Sequence, residues 1–160
     1  MTAKSQNNSG RVALFAGSFD PFTIGHASIV ERALPLFDRI IIAVGVNASK
    51  PGGTPADERC KSIRELYASD GRISVEAYSD ELTVDLADRL GANFLLRGVR
   101  SVKDFEYERD IADVNRRLSG IETVSLYTLP EHASVSSSIV RELRSYGRDI
   151  SSFLPTLNSK

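Results

Sequence analysis

Apolar residues fall along this chain in two alternating textures. Val12 to Ala16, Arg39 to Val46 and Asn93 to Leu96 are short, almost unbroken apolar runs. Such runs suit strands covered on both faces better than strands with one face in water. Arg72 to Ala77 and Thr123 to Thr128 are of similar length and are predicted to be strands as well. Between the runs, apolar positions recur at spacings of three and four. Ile29, Val30, Ala33, Leu34 and Phe37 predict a first helix, which Pro35 should end or kink. Thr54-Pro55-Ala56-Asp57 predicts the start of a second, with Thr54 as N-cap and Pro55 in the first turn. A third runs from about Thr83 to Leu90 and is closed by Gly91, and a fourth carries Tyr107, Ile111, Val114 and Leu118 as one stripe, with Gly120 beyond its end. Ser136-Ser137-Ser138 opens a fifth, bearing Ile139, Val140 and Leu143.

Strands that alternate with helices and read as buried runs imply an α/β fold. The expected architecture is a single Rossmann-like, doubly wound domain with a five-stranded parallel sheet and helices on both faces. In open sheets of this kind ligands bind outside the carboxyl ends of the strands, where the strand order reverses. The chemically unusual loops all come directly after strands: Ser18 and His26 after the first, Lys50 after the second, Arg97 and Arg100 after the fourth, His132 and the serines after the fifth.

Composition narrows the classes. With 160 residues, 41% hydrophobic and 26% charged, the chain has the usage of one ordinary globular domain. The polar start is expected to be a disordered tail over residues 1–10, leaving the domain to residues 11–160, with no signal peptide or membrane anchor. No apolar run approaches the roughly 20 residues a bilayer span needs, so no membrane partner and a cytoplasmic location are expected. Twenty Lys+Arg against twenty-one Asp+Glu leave a net charge of -1, which argues against a nucleic-acid partner and makes any anion site a local one. The single cysteine, Cys60, cannot build a disulfide or a thiolate metal cage and is expected to be packing; no metal ligands are expected.

Gly17-Ser18-Phe19-Asp20-Pro21 leaves a strand, and Thr23-Ile24-Gly25-His26 opens a helix. Backbone N–H groups and an imidazole then stand where a helix N-terminus holds a phosphate, and Gly17 and Gly25 would allow close approach of the backbone. Together with Arg97-Gly98-Val99-Arg100, Asp104-Phe105-Glu106-Tyr107-Glu108, Asn115 and Val135-Ser136-Ser137-Ser138-x-Val140-Arg141-Glu142, in that order and spacing, these residues resemble the motifs of the phosphopantetheine adenylyltransferase family. That family belongs to the nucleotidyltransferases with a His-x-Gly-His-like signature, here with Thr23 in the first place. The resemblance runs from about Val12 to Pro155.

The resemblance implies transfer of AMP from ATP to 4'-phosphopantetheine, giving dephospho-coenzyme A and pyrophosphate by in-line displacement, with Mg²⁺ carried on the ATP and a homohexameric assembly. By the same resemblance His26 supports charge at the α-phosphate. Ser18 orients the acceptor phosphate and, with Phe19, belongs to the nucleotide-binding loop. Lys50 and Arg97 hold the acceptor phosphate, and Thr83 meets the pantetheine arm. Gly98, Val99, Arg100 and Glu108 fall on the nucleotide side. His132, Ala133, Ser134 and Val135 cover the adenine, and Ser136, Ser137 and Ser138 receive the outer phosphates.

Arg141 is left out of this site, as a surface partner for Glu131 or Glu142, and the acidic stretch from Asp104 to Asp113, Glu108 apart, is expected to be a solvated helix face. The chain departs from the family after Lys50, where it has Pro51, Gly52, Gly53 and Thr54. Two rivals remain open: a relative that uses nicotinamide mononucleotide or a small alcohol phosphate, and a nucleotide-sensing module without turnover. The near-zero net charge is expected to average a basic cleft and a more acidic exterior.

Overall fold

A computed structural model describes residues 10–46 and 52–157. Strands β1 (Val12–Gly17), β2 (Arg39–Gly45), β3 (Ile73–Tyr78), β4 (Phe94–Val99) and β5 (Glu122–Tyr127) alternate with helices α1 (Ile24–Ala33), α2 (Ala56–Leu66), α3 (Thr83–Leu90), α4 (Val102–Ser119) and α5 (Ser137–Ser145). All four strand pairings are parallel, in the order β3-β2-β1-β4-β5. The chain moves outward from β1 to β3 and then returns to the other side of β1, so the order reverses between β1 and β4.

Alternation along the central strands builds two cores. Ala13, Phe15, Ile40, Ile42 and Val44 point to one face, where Ile29, Val30 and Ala33 of α1 and Cys60 and Ile63 of α2 cover them. Val12, Leu14, Ala16, Ile41 and Ala43 point to the other, against Leu86 and Ala87 of α3. Residues of both parities are buried, which is why β1 and β2 read as unbroken apolar runs. Gly98 brings β4 close to α1: a Cβ there would stand 3.2 Å from the Ile29 side chain.

Four boundaries and faces differ from expectation. The first helix stops at Ala33, and Phe37 is buried beyond its end rather than on it. Pro55, not Thr54, is the N-cap of α2 and supplies no side-chain cap, while the Thr54 N–H donates to Asp20 Oδ2 at 3.3 Å. Strand β4 continues through Arg97, Gly98 and Val99 instead of ending at Leu96. The largest difference concerns α4. Tyr107, Ile111, Val114 and Leu118 stand exposed, at 63%, 38%, 50% and 62%, and the one buried residue of the helix is Glu108. Helical periodicity identifies an apolar stripe but not what lies against it.

Candidate active site

The carboxyl ends of β1 and β4, at the reversal of strand order, open into a cleft of about 810 Å³. One wall is the β1–α1 turn. Thr23 caps α1, and its box is closed by His26 rather than by the usual acid: the Thr23 N–H donates to His26 Nδ1 at 3.0 Å, while the His26 N–H reaches Thr23 Oγ1 at 3.5 Å. A backbone N–H can only donate, so Nδ1 is the unprotonated nitrogen and the neutral ring carries its proton on Nε2. The ring sits edge-on to Phe19 at 5.0 Å between centroids and 5.4 Å from Phe22. Burial among these rings, together with the positive fields of Arg100 and Arg97, lowers its pKa to about 4. At neutral pH His26 is therefore an uncharged donor.

The facing wall is β4 and the start of α4. Arg97, inside the strand, donates from Nε and Nη2 to Glu108 at 2.9 and 2.7 Å, and from Nη1 to the Ala16 carbonyl at 2.8 Å. This two-pronged pair explains why the buried residue of α4 is a carboxylate. Arg100 meets Asp104 through both its backbone N–H and Nε, at 3.1 and 3.2 Å, and Ser101 caps α4 by accepting from the Asp104 N–H. The third side is α5, where Ser136 is the N-cap and accepts from the Ile139 N–H at 3.2 Å. Before it stands His132, whose Nδ1 is buried with no partner among the described residues.

Residues 14–143 match the family described as cytidylyltransferase-like. A phosphopantetheine adenylyltransferase of Bacteroides thetaiotaomicron is 55% identical over 145 residues, covering 91% of this chain and 95% of the relative. One of Porphyromonas gingivalis is 56% identical over 144 residues, covering 90% and 94%. The chain belongs to the phosphopantetheine adenylyltransferase family. Among solved structures, a bifunctional NMN adenylyltransferase/ADP ribose pyrophosphatase of Francisella tularensis superposes with a TM-score of 0.64 at 13% identity, over 91% of this chain and 44% of that one. That likeness speaks for the nucleotidyltransferase fold alone.

For this member of the adenylyltransferases, the structure gathers most of the expected residues. Ser18, Phe19, His26, Arg97, Gly98, Arg100 and Glu108 line the cleft, as do His132, Val135, Ser136, Ser137 and Ser138. Val99 does not; it is buried at the end of β4. Ala133 and Ser134 are exposed outside the lining, and Thr83 sits at the start of α3, also outside it. Lys50 lies outside the described residues. At Gly17 a Cβ would fall 3.0 Å from the Phe19 ring, so a side chain there would press on the turn. At Gly25 the nearest atom would be an ordinary 3.5 Å away.

Two lining residues escaped sequence reasoning. Arg141 points inward, donating to the Asp20 carbonyl at 2.6 Å and to Ser138 Oγ at 3.2 Å, rather than pairing with a surface glutamate. Arg59 donates to the carbonyls of Thr54, Gly45 and Ser18. The described cleft is basic by a narrow margin. Four arginines line the described cleft, but so do Asp20, Asp104 and Glu108, an excess of a single positive charge. Glu108 and Asp104 are inside the cleft, holding Arg97 and Arg100.

Proposed function

We propose that this adenylyltransferase joins the AMP of ATP to 4'-phosphopantetheine, releasing pyrophosphate and forming dephospho-coenzyme A. A phosphate oxygen of the acceptor bonds to the α-phosphorus of ATP while the bond from that phosphorus to the bridging oxygen of the leaving pyrophosphate breaks. The enzyme forms no covalent intermediate, so its contribution is positioning and charge stabilisation. The observation that carries this reading is His26, locked as a neutral Nε2–H donor beside two arginines at the reversal of the sheet. Such a donor strengthens its hydrogen bond as charge builds on the α-phosphate and needs no proton transfer.

Arg97, with Lys50, holds the acceptor phosphate, and Ser18 orients it; Thr83 meets the pantetheine arm. Glu108 keeps Arg97 extended into the cleft. Phe19, Gly98 and Arg100 form the nucleotide side with the segment from His132 to Val135, and the start of α5 at Ser136, Ser137 and Ser138 takes the outer phosphates. Among the described residues no group of three or more His, Cys, Asp or Glu could hold a metal ion. Mg²⁺ is carried on the triphosphate, as part of the substrate, as the family resemblance implies.

The exposed apolar stripe of α4 supports self-association, with six copies as the family resemblance implies. Among the described residues no helix is long and apolar enough to cross a membrane, and we assign the reaction to the cytoplasm, carried by one domain from Arg11 onward.

The deciding experiment is pyrophosphate release from ATP and Mg²⁺ with 4'-phosphopantetheine, run beside nicotinamide mononucleotide. Release with 4'-phosphopantetheine alone is expected; release with the mononucleotide alone would move the protein to the rival acceptor, and release with neither would leave it a nucleotide-binding module. Light scattering reads the assembly in the same preparation.

A further inference from the structure

Arg59 occupies the first turn of α2, just behind Asp57 and Glu58, where the helix dipole disfavours a cation. Its guanidinium is offset by three carbonyl oxygens. Nε donates to Thr54 at 2.8 Å, and Nη1 donates both to Gly45 at 3.0 Å and to Ser18. The exit of β1, the exit of β2 and the entry to α2 are thus tied by one planar fork, a grip that a lysine ammonium cannot copy.

The Ser18 carbonyl matters because it shares its peptide bond with the N–H of Phe19. Phe19 has φ 47°, in the left-handed region that costs a non-glycine residue about 1–2 kcal/mol. In a trans peptide the N–H points opposite to the C=O, so binding the Ser18 carbonyl to Arg59 turns the Phe19 N–H away from that guanidinium. The far side of the turn is pinned in the same manner: the Asp20 carbonyl accepts from Arg141 and the Pro21 carbonyl from Ser137 Oγ at 2.8 Å. The N–H groups of Ser18 and Phe19, by contrast, have no acceptor among the described residues, although Phe19 is buried and the turn lines the cleft. Carbonyls that are taken and N–H groups that are open, around a left-handed residue, make a cradle for an anion.

We propose that Arg59 is a positioning residue of the transfer reaction: by gripping the Ser18 carbonyl it holds the Ser18–Phe19 peptide with its N–H toward a phosphate of ATP. The proposal rests on the cleft being the ATP site. Arg59 acts through the backbone and not through its charge, so keeping the charge while losing the fork should not preserve the function.

The test uses full-length protein labelled with ¹⁵N-phenylalanine, which gives seven amide signals at most, together with Arg59→Lys and Arg59→Met. In the wild type, adding ATP with Mg²⁺ is expected to shift the Phe19 amide; no shift overturns the proposal without reference to any variant. In both variants, melting temperatures showing a folded protein at the assay temperature, the shift should be lost and kcat should fall on the order of tenfold or more, as a misplaced binding group does. The KM for 4'-phosphopantetheine should stay within about twofold. Arg59→Lys with wild-type kcat would show that charge is what matters and would also overturn the proposal. Absence of turnover by the wild type would count against the assigned reaction, whereas the amide response to ATP would still decide the role of Arg59.

Discussion

The two walls of the cleft solve the same problem by opposite means. On the β1–α1 wall the functional group is neutral: His26 is kept uncharged by aromatic burial and by nearby arginines, and a backbone N–H dictates its tautomer. On the β4–α4 wall the functional groups are cations, each delivered with a carboxylate, Arg97 with Glu108 and Arg100 with Asp104. A neutral donor can approach the α-phosphorus without contributing a charge that must be desolvated. Two phosphates that repel each other, however, can be brought together only by positive charge, and positive charge needs partners while the site is empty. The described cleft has one more arginine than carboxylate while the whole chain stands at -1, so the positive excess sits in the cleft and is small.

Removing the neutral donor should do the most damage. His26→Ala is expected to lower kcat by ~10²–10³-fold, with ATP binding, measured by calorimetry, changed far less. Equal turnover would mean that the cationic wall carries the chemistry by itself. Next in size is Glu108→Gln, which keeps the shape of the side chain but loses the charge that holds Arg97 at 2.9 and 2.7 Å. A charge-assisted pair of this kind is worth ~1.5–3 kcal/mol, so the KM for 4'-phosphopantetheine should rise about tenfold. A defect confined to the KM for ATP would place Glu108 on the nucleotide instead.

The neutral wall was far more legible in the sequence than the charged one. Gly17, Ser18, Thr23 and His26 are close in the chain, so a strand, a turn and a cap can be read together, and the two-sided burial of β1 and β2 leaves unbroken apolar runs. Arg97 looks like a loop residue because β4 runs past its core into the cleft, where polar side chains are at home. Glu108 looks like surface because its partner is eleven residues away on another element. The stripe from Tyr107 to Leu118 gives a correct helix, but periodicity alone does not say what lies against the stripe, and in the structure it is exposed. Arg59 leaves no motif, and Arg141, although it belongs to the run from Val135 to Glu142, looks like a surface cation. They act on backbone carbonyls, which every residue has, at separations of 41 and 121 residues.

A smaller effect should separate the two pairs of the charged wall. Asp104 and Arg100 are partly open to solvent, and exposed pairs are worth at most about 1 kcal/mol. Asp104→Asn is therefore expected to change the KM for ATP by no more than about fivefold, and raising the salt concentration should weaken the Arg100–Asp104 contact before it affects Arg97 and Glu108. If Asp104→Asn proves as costly as Glu108→Gln, the difference between the inner and outer pair disappears.

The smallest expected effect is none, and it concerns His26 again. A histidine that worked as a general base or as a cation would place an inflection near its ordinary pKa of about 6.5. With the pKa held at about 4, the logarithm of kcat should run level from pH 8 down to pH 5.5 as far as this residue is concerned. Folding stability should not be level. Below pH 6.5 the unfolded chain takes up a proton at this position that the folded chain refuses, so the unfolded state binds more protons and stability declines as the pH falls toward 4. His26→Gln, which keeps a donor but does not titrate, should flatten that part of the decline in urea midpoints. A kcat inflection near 6.5 in the wild type that vanishes in His26→Gln would mean that the imidazole is charged during turnover, and the contrast between a neutral wall and a cationic one would be lost.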